Sequence, residues 1–180
     1  MEELIKLMRK IAEMRNEYWL HDVVFTYQWW LLLGLTILPW MIWWKLADKK
    51  RIIEILLYGT IISLYSILLD DIGSHFTLWI YQYQLIPISV RLNPIDLTVI
   101  PITFMIVYQY FKKWKTFLIV QTILAAGATF VAEPVFTWME IYKPLKWEYY
   151  YSFPIYILLG AVNKWFVERL LYFGDSPPER

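Results

Sequence analysis

From Gln28 to Trp44 the chain carries no charged residue, and the same holds from Thr116 to Ala132. A helix crossing the roughly 30 Å hydrocarbon core of a bilayer needs about 20 mainly apolar residues. Inside that core only a helix or a closed barrel satisfies every backbone N–H and C=O. The first run is bracketed by tryptophans, Trp29 and Trp30 at one end and Trp40, Trp43 and Trp44 at the other. Tryptophan favours the headgroup level, where its ring is half-immersed and its N–H stays wet. Trp29 and Trp44 lie about 22 Å apart along a helix, a short but adequate crossing. Pro39 inside the run predicts a kink.

Three further runs fit the same pattern. Residues 52–69 are broken only by Glu54, residues 95–111 open behind Asn93-Pro94, and residues 153–173 carry Asn163, Lys164, Glu168 and Arg169 in their second half. The run 116–132 closes at Glu133-Pro134. Lys164 and Arg169 are expected to snorkel to the nearer surface, and Lys164 and Glu168, four apart, to pair on one helix face. Residues 76–90 are uncharged but short, with Gln82, Gln84 and Pro87 inside.

Charge places these segments. Lys45, Lys49, Lys50 and Arg51 follow the first span, and Lys112, Lys113 and Lys115 follow the third. Both loops are cytoplasmic by the positive-inside rule, so 76–90 is an interfacial or re-entrant segment on the outer side rather than a crossing. The outer loops hold only Arg91, Lys143 and Lys146. The N-terminus is then outside, and the C-terminus, with Arg169 and Arg180, is cytoplasmic. Residues 1–22 read as an amphipathic helix, with Leu4, Leu7, Met8, Ile11, Met14, Arg15 and Tyr18 at helical spacing, suited to lying on lipid or on the protein. Their balanced charges cast little vote, and they do not resemble a cleavable signal.

The expected fold is an all-α integral membrane helical bundle, one domain over 1–180. It has about five transmembrane helices (28–44, 52–69, 95–111, 116–132, 153–173), the N-terminal amphipathic helix and one outer segment. Charged residues are only 18% of the chain and the net charge is +1, so no basic field points to nucleic acid. The absence of cysteine excludes disulfides and thiolate chemistry.

Several stretches are similar to an uncharacterised family of small multi-pass membrane proteins of endospore-forming bacteria. They are Asp48-Lys49-Lys50-Arg51 with Glu54-Ile55-Leu56, Leu69-Asp70-Asp71-Ile72-Gly73, and Asn93-Pro94-Ile95-Asp96. Val107 to Phe111 with Trp114-Lys115, Glu133-Pro134, and Tyr151 to Tyr156 complete the set. The resemblance covers about two thirds of the chain. It implies a bacterial cell membrane and supplies neither a reaction nor a ligand.

Polar residues gather where the spans meet the outer side: Asp70, Asp71, Asp96 and Glu133, with His75 and Arg91 between them. Ionisable groups near hydrocarbon are costly. Asp96 has a structural explanation, because Asn93 suits a cap, Pro94 the first helical position, and Asp96 the first turn. Asp70, Asp71 and Glu133 fall at expected helix C-terminal ends, where the dipole disfavours a carboxylate. Either ion pairs hold them, with Arg91 first and Lys143 and Lys146 in reserve, or headgroups and water do. The functional alternative is a small outer pocket of Asp71, His75 and Glu133 for a cation or substrate. One histidine with scattered carboxylates is a weak metal set, and no metal or cofactor is expected.

The aromatics Phe136, Trp138, Tyr142, Trp147, Tyr149, Tyr150 and Tyr151 fit interfacial anchoring better than a ligand cage. Glu140 among them has Lys143 or Lys146 for a partner, and His21 and Asp22 read as solvated interface residues. No Gly-x-Ser-x-Gly, His-Glu-x-x-His or phosphate loop occurs. The expected role is a non-catalytic structural or partner-binding membrane component, touching the bilayer and either copies of itself or another membrane protein. The alternative is an ion or small-molecule binding or transport protein, and behind it an embedded enzyme using acid–base groups.

Overall fold

The computed structural model describes residues 1–88 and 91–174. Seven helices account for most of it: α1 (Glu2–Tyr18), α2 (Tyr27–Leu46), α3 (Ile52–His75), α4 (Ile100–Tyr110), α5 (Trp114–Gly127), α6 (Glu133–Trp138) and α7 (Tyr149–Gly174). Three helical stretches are long and apolar enough to cross a membrane: Tyr27–Leu46, Lys49–His75 and Trp114–Trp138. Ile95–Tyr110 is apolar but shorter. Residues 175–180, including the Arg180 of the charge count, lie outside the described residues.

Local chemistry sets the helix ends. The Thr26 hydroxyl accepts the Trp29 N–H and caps α2, and Asp48 accepts the Lys50 N–H to open the tight turn Lys49–Arg51. Wide π-turns at Ile95–Val99 and Ala128–Ala132 run directly into α4 and α6, whose first turns hold Pro101 and Pro134. A proline ring collides with the carbonyl four residues back and has no N–H to give it. The widened turn relieves both problems, so the helix continues. Glu133-Pro134 therefore does not close the fourth apolar helix. Glu133 lies inside a continuous stretch that reaches Trp138.

Both α3 and α6 end in the same way. Thr77 and Glu140 take left-handed backbone angles (φ 54° and 61°), and Leu78 and Ile141 donate N–H to the carbonyls of Gly73 and Phe136 five residues back. These are Schellman closures made without glycine. Each launches a short strand, β1 (Trp79–Tyr81) and β2 (Tyr142–Pro144), and the two pair antiparallel with Ile80 opposite Lys143. Residues 76–88 are thus not helical, and Trp79–Tyr81 among them forms one half of a ribbon.

In the bundle, α3 packs on α4 and α7, α5 packs on α7, and α2 rests on the Ile95–Val99 turn. The main core centres on Ile55, Tyr58, Ile62, Met105, Tyr108 and Phe117. Polarity is inverted around it. Gln109, Gln121, Thr129 and Asn163 are buried, while Ile53 and Leu64 of α3, Ile123 of α5, and Leu158 and Trp165 of α7 stand exposed. No residue of α1 is buried, and the helix touches the rest mainly through the π-turn Trp19–Val23 that follows it.

Candidate functional site

Helix α3 passes Leu69 and continues to His75, so Asp70 and Asp71 are not at its end. Consecutive helical residues point about 100° apart, and the two acids part company. Asp70 turns inward to 5% exposure and is claimed by three donors. Trp79 Nε1 at 2.7 Å and the Tyr81 hydroxyl at 2.6 Å both reach Oδ1, and the Leu92 N–H reaches Oδ2 at 3.2 Å. The carboxylate thereby ties α3 to the β-ribbon and to the turn that enters Ile95–Val99. Burial, then the charge of Asp70, push the Tyr81 phenol well above its usual pKa, so it stays a hydroxyl and a donor. Burial likewise raises the Tyr142 phenol, with Glu133, Tyr149 and Asp70 adding to the effect.

Asp96 keeps its expected first-turn position. Its side chain points into the bundle at 5% exposure, where Oδ1 accepts the Ser66 hydroxyl at 2.6 Å. Its carboxyl lies within side-chain hydrogen-bond reach of Asp70. Asp96 Oδ2 is buried with no hydrogen-bond partner among the described residues.

Asp71 faces outward and forms an ion pair with Arg91, whose Nε is 2.9 Å from Asp71 Oδ1. Both side chains are partly exposed, which limits the pair to about 1 kcal/mol or less. Helix α3 runs through Gly73, so His75 does share a face with Asp71, and both line a shallow depression with Ile72, Ser74 and Phe76. His75 is exposed and sits edge-on to Phe76. Glu133 is elsewhere: Oε1 accepts the Tyr156 hydroxyl at 3.3 Å, and Oε2 is buried with no partner among the described residues. The six predicted residues thus divide into a buried pair, a half-exposed ion pair with His75 beside it, and a separate Glu133. Among the described residues no three or more His, Asp or Glu side chains converge as a metal site.

The chain matches no family of known proteins, no curated protein and no solved structure. Function has to be read from its own side chains.

A second polar centre lies at the other end of the bundle. Lys164 is 1% exposed, bonded to Glu168 at 2.6 Å and facing the rings of Tyr108, Trp114 and Phe117 at 5.0–5.4 Å. The expected pairing with Glu168 is present, but Lys164 does not snorkel. The ring faces stand in for water around the ammonium. Beside it, Arg51 forks onto Glu54 at 2.9 and 2.6 Å, and the Tyr108 hydroxyl donates to the same carboxylate at 2.6 Å. Tyr108 stacks on Tyr58 at 4.2 Å, which joins both groups to the core.

Several aromatics also depart from simple anchoring. Tyr142 is 8% exposed, Trp147 donates to Ser152, and Tyr149 donates to Thr137, whereas Trp138 is 83% exposed. Glu140 pairs with neither Lys143 nor Lys146 among the described residues. His21 and Asp22 are exposed in the Trp19–Val23 turn. The residues that sequence reasoning missed are Ser66, Trp79 and Tyr81. Their only signal was an indole and a phenol nine and eleven positions past an aspartate.

Proposed function

We propose that the chain is a five-span membrane component without catalytic activity, whose buried acids clamp its helices together. Its N-terminus is outside, its C-terminus is cytoplasmic, and α1 is free to meet lipid or a partner. The bacterial cell membrane suggested by the resemblance is the setting. The carrying observation is that Asp70, one of two deeply buried acids of the set, has both oxygens taken by the protein's own donors. A carboxylate so occupied has little left to offer a ligand. Inverted polarity supports the membrane setting, since a bundle in lipid gains nothing by hiding leucine and must hide its amides. The two extra crossings are Ile95–Tyr110, about 24 Å long, and α7, 26 residues and about 39 Å long. Lys164 and Glu168 of α7 neutralise each other, which lowers the cost of placing that part of the helix in lipid.

The chain has no cysteine, so single-cysteine variants give a clean topology test. Lys143→Cys, exposed in β2, is expected to react on intact cells with a membrane-impermeant maleimide, and Lys112→Cys only after permeabilisation. Labelling of both on intact cells contradicts the arrangement, and the opposite pattern reverses its orientation.

The alternative, a site for an ion or small molecule, draws on one feature. Glu133 Oε2, Thr129 Oγ1 and Gln121 Oε1 are all buried without partners among the described residues. Melting the detergent-purified protein with K⁺, Ca²⁺ or Zn²⁺ separates the two. The clamp role predicts no ion-specific shift and a lower melting temperature for Glu133→Gln. A rise of about 5 °C with one cation, lost in Glu133→Gln, makes the protein an ion binder instead.

A further inference from the structure

A cleft of about 220 Å³ opens where the end of α1 passes beside β1. That is smaller than a site for a drug-sized ligand, roughly 300–1,000 Å³, and suits a compact polar fragment. Arg15 forms one edge, half-buried and with no ion pair among the described residues. Its neighbours one helical turn away, Ile11 and Trp19, are not acidic. A guanidinium that has lost part of its water and has no counter-ion favours an anion with several acceptor oxygens.

Further donors face the same space. Ser74 Oγ is buried without a hydrogen-bond partner, and the side-chain amides of Gln82 and Gln84 make no hydrogen bonds among the described residues. Their backbone groups are engaged, Gln82 N–H with Ile141 and Gln84 C=O with the Trp19 indole at 3.0 Å. The carboxamides therefore stay available while the strand end is fixed. Tyr18 lines the cleft, and burial together with nearby Tyr83, Asp22 and Glu140 pushes its phenol upward. Asp22 and Glu140 are exposed and form no ion pair among the described residues.

Aromatic side chains fix the depth. Phe25, Trp29 and Trp30 cluster just past the π-turn, and the Trp29 indole donates to the Leu85 carbonyl at 3.0 Å. Indoles so arranged sit at lipid headgroup level. The apolar side of the cleft, Trp19 and Trp79, suits a glycerol backbone leaving toward the acyl chains.

We propose that this cleft binds the headgroup of a phospholipid, with its phosphate on Arg15, Ser74 and the two glutamine amides. The assignment rests on the membrane reading above, which the cysteine labelling tests separately. Arg15 makes no contact that the bundle needs, so Arg15→Gln leaves the fold intact.

Delipidated protein in detergent is melted with phosphatidylethanolamine, phosphatidylglycerol, phosphatidylcholine or soluble phosphoethanolamine. Phosphatidylethanolamine is expected to raise the melting temperature of the parent by about 5–10 °C at saturation. Phosphatidylcholine and phosphatidylglycerol, which carry the same phosphodiester, raise it comparably. Arg15→Gln and Ser74→Ala each lose at least half of the response, and Arg15→Lys recovers part of it. No response to any of the phospholipids, or a full response in Arg15→Gln, overturns the proposal. Equal stabilisation by phosphoethanolamine overturns the lipid source and leaves a soluble ligand in its place.

Discussion

Asp70→Asn is expected to lower the melting temperature of the detergent-purified protein by about 4–12 °C, while Asp96→Asn leaves it within about 2 °C of the parent. The two substitutions look alike, and the buried partners make them differ. Asp70 receives donors on both oxygens, two on Oδ1 and one on Oδ2. An asparagine can present its oxygen to the Trp79 and Tyr81 donors only by turning its NH2 toward the Leu92 N–H, and the reverse placement is worse. One buried donor is left facing another, which costs about 2–3 kcal/mol. At about 2–4 °C per kcal/mol for a chain of this size, the stated fall follows. Asp96 has the opposite deficit. Its Oδ2 has no donor, and its neighbour is another carboxyl. An asparagine keeps an oxygen for Ser66 and puts an amide N–H in place of a second carboxyl beside Asp70. Equal losses in both variants, or a larger one in Asp96→Asn, mean that Asp70 is not the clamp.

Hydrophobic runs and tryptophan borders were enough to locate the long helices, because span length and interfacial chemistry are local properties of the chain. The ends were less legible. An apolar run stops at Leu69, but a helix stops where its backbone finds a cap, and α3 finds none before Thr77. Pro134 looked like a terminator because a proline breaks a regular α-turn, and nothing local announces that a π-turn will absorb it. The sites were least legible of all. Lys164 was assigned to a surface by its length and charge, and the rings that surround it come from α4 and α5, at least 47 positions away at Phe117. The ribbon that delivers Trp79 and Tyr81 to Asp70 pairs segments separated by the whole of α4, α5 and α6. Contacts of that kind leave no periodicity to read.

Gly73→Ala is expected to be the most damaging change of a single methyl group. The added Cβ would fall on the six-membered ring of Trp79, which crosses directly over Gly73. A flexible side chain would step aside, but this ring has no free direction. Its Nε1 is held by Asp70 Oδ1 at 2.7 Å, its edge meets Trp147 at 5.1 Å, and its backbone is fixed in β1 opposite Pro144. Overpacking costs about 1–3 kcal/mol. Moving the ring also strands a hydrogen bond to a buried carboxylate, worth about 1.5–3 kcal/mol. Together they predict a loss of about 3–5 kcal/mol, or a fall of roughly 6–20 °C in melting temperature. Gly127→Ala is the control: nothing lies within 4 Å of its would-be Cβ, and removing a helical glycine should gain about 0.5–1 kcal/mol. A double-mutant cycle identifies the cause. Trp79→Phe shortens the ring and gives up the indole N–H, so adding Gly73→Ala to it should cost far less than in the parent. If the two losses simply add, the methyl group is damaging something other than the contact between Trp79 and Asp70, and the clamp is not what Gly73 protects.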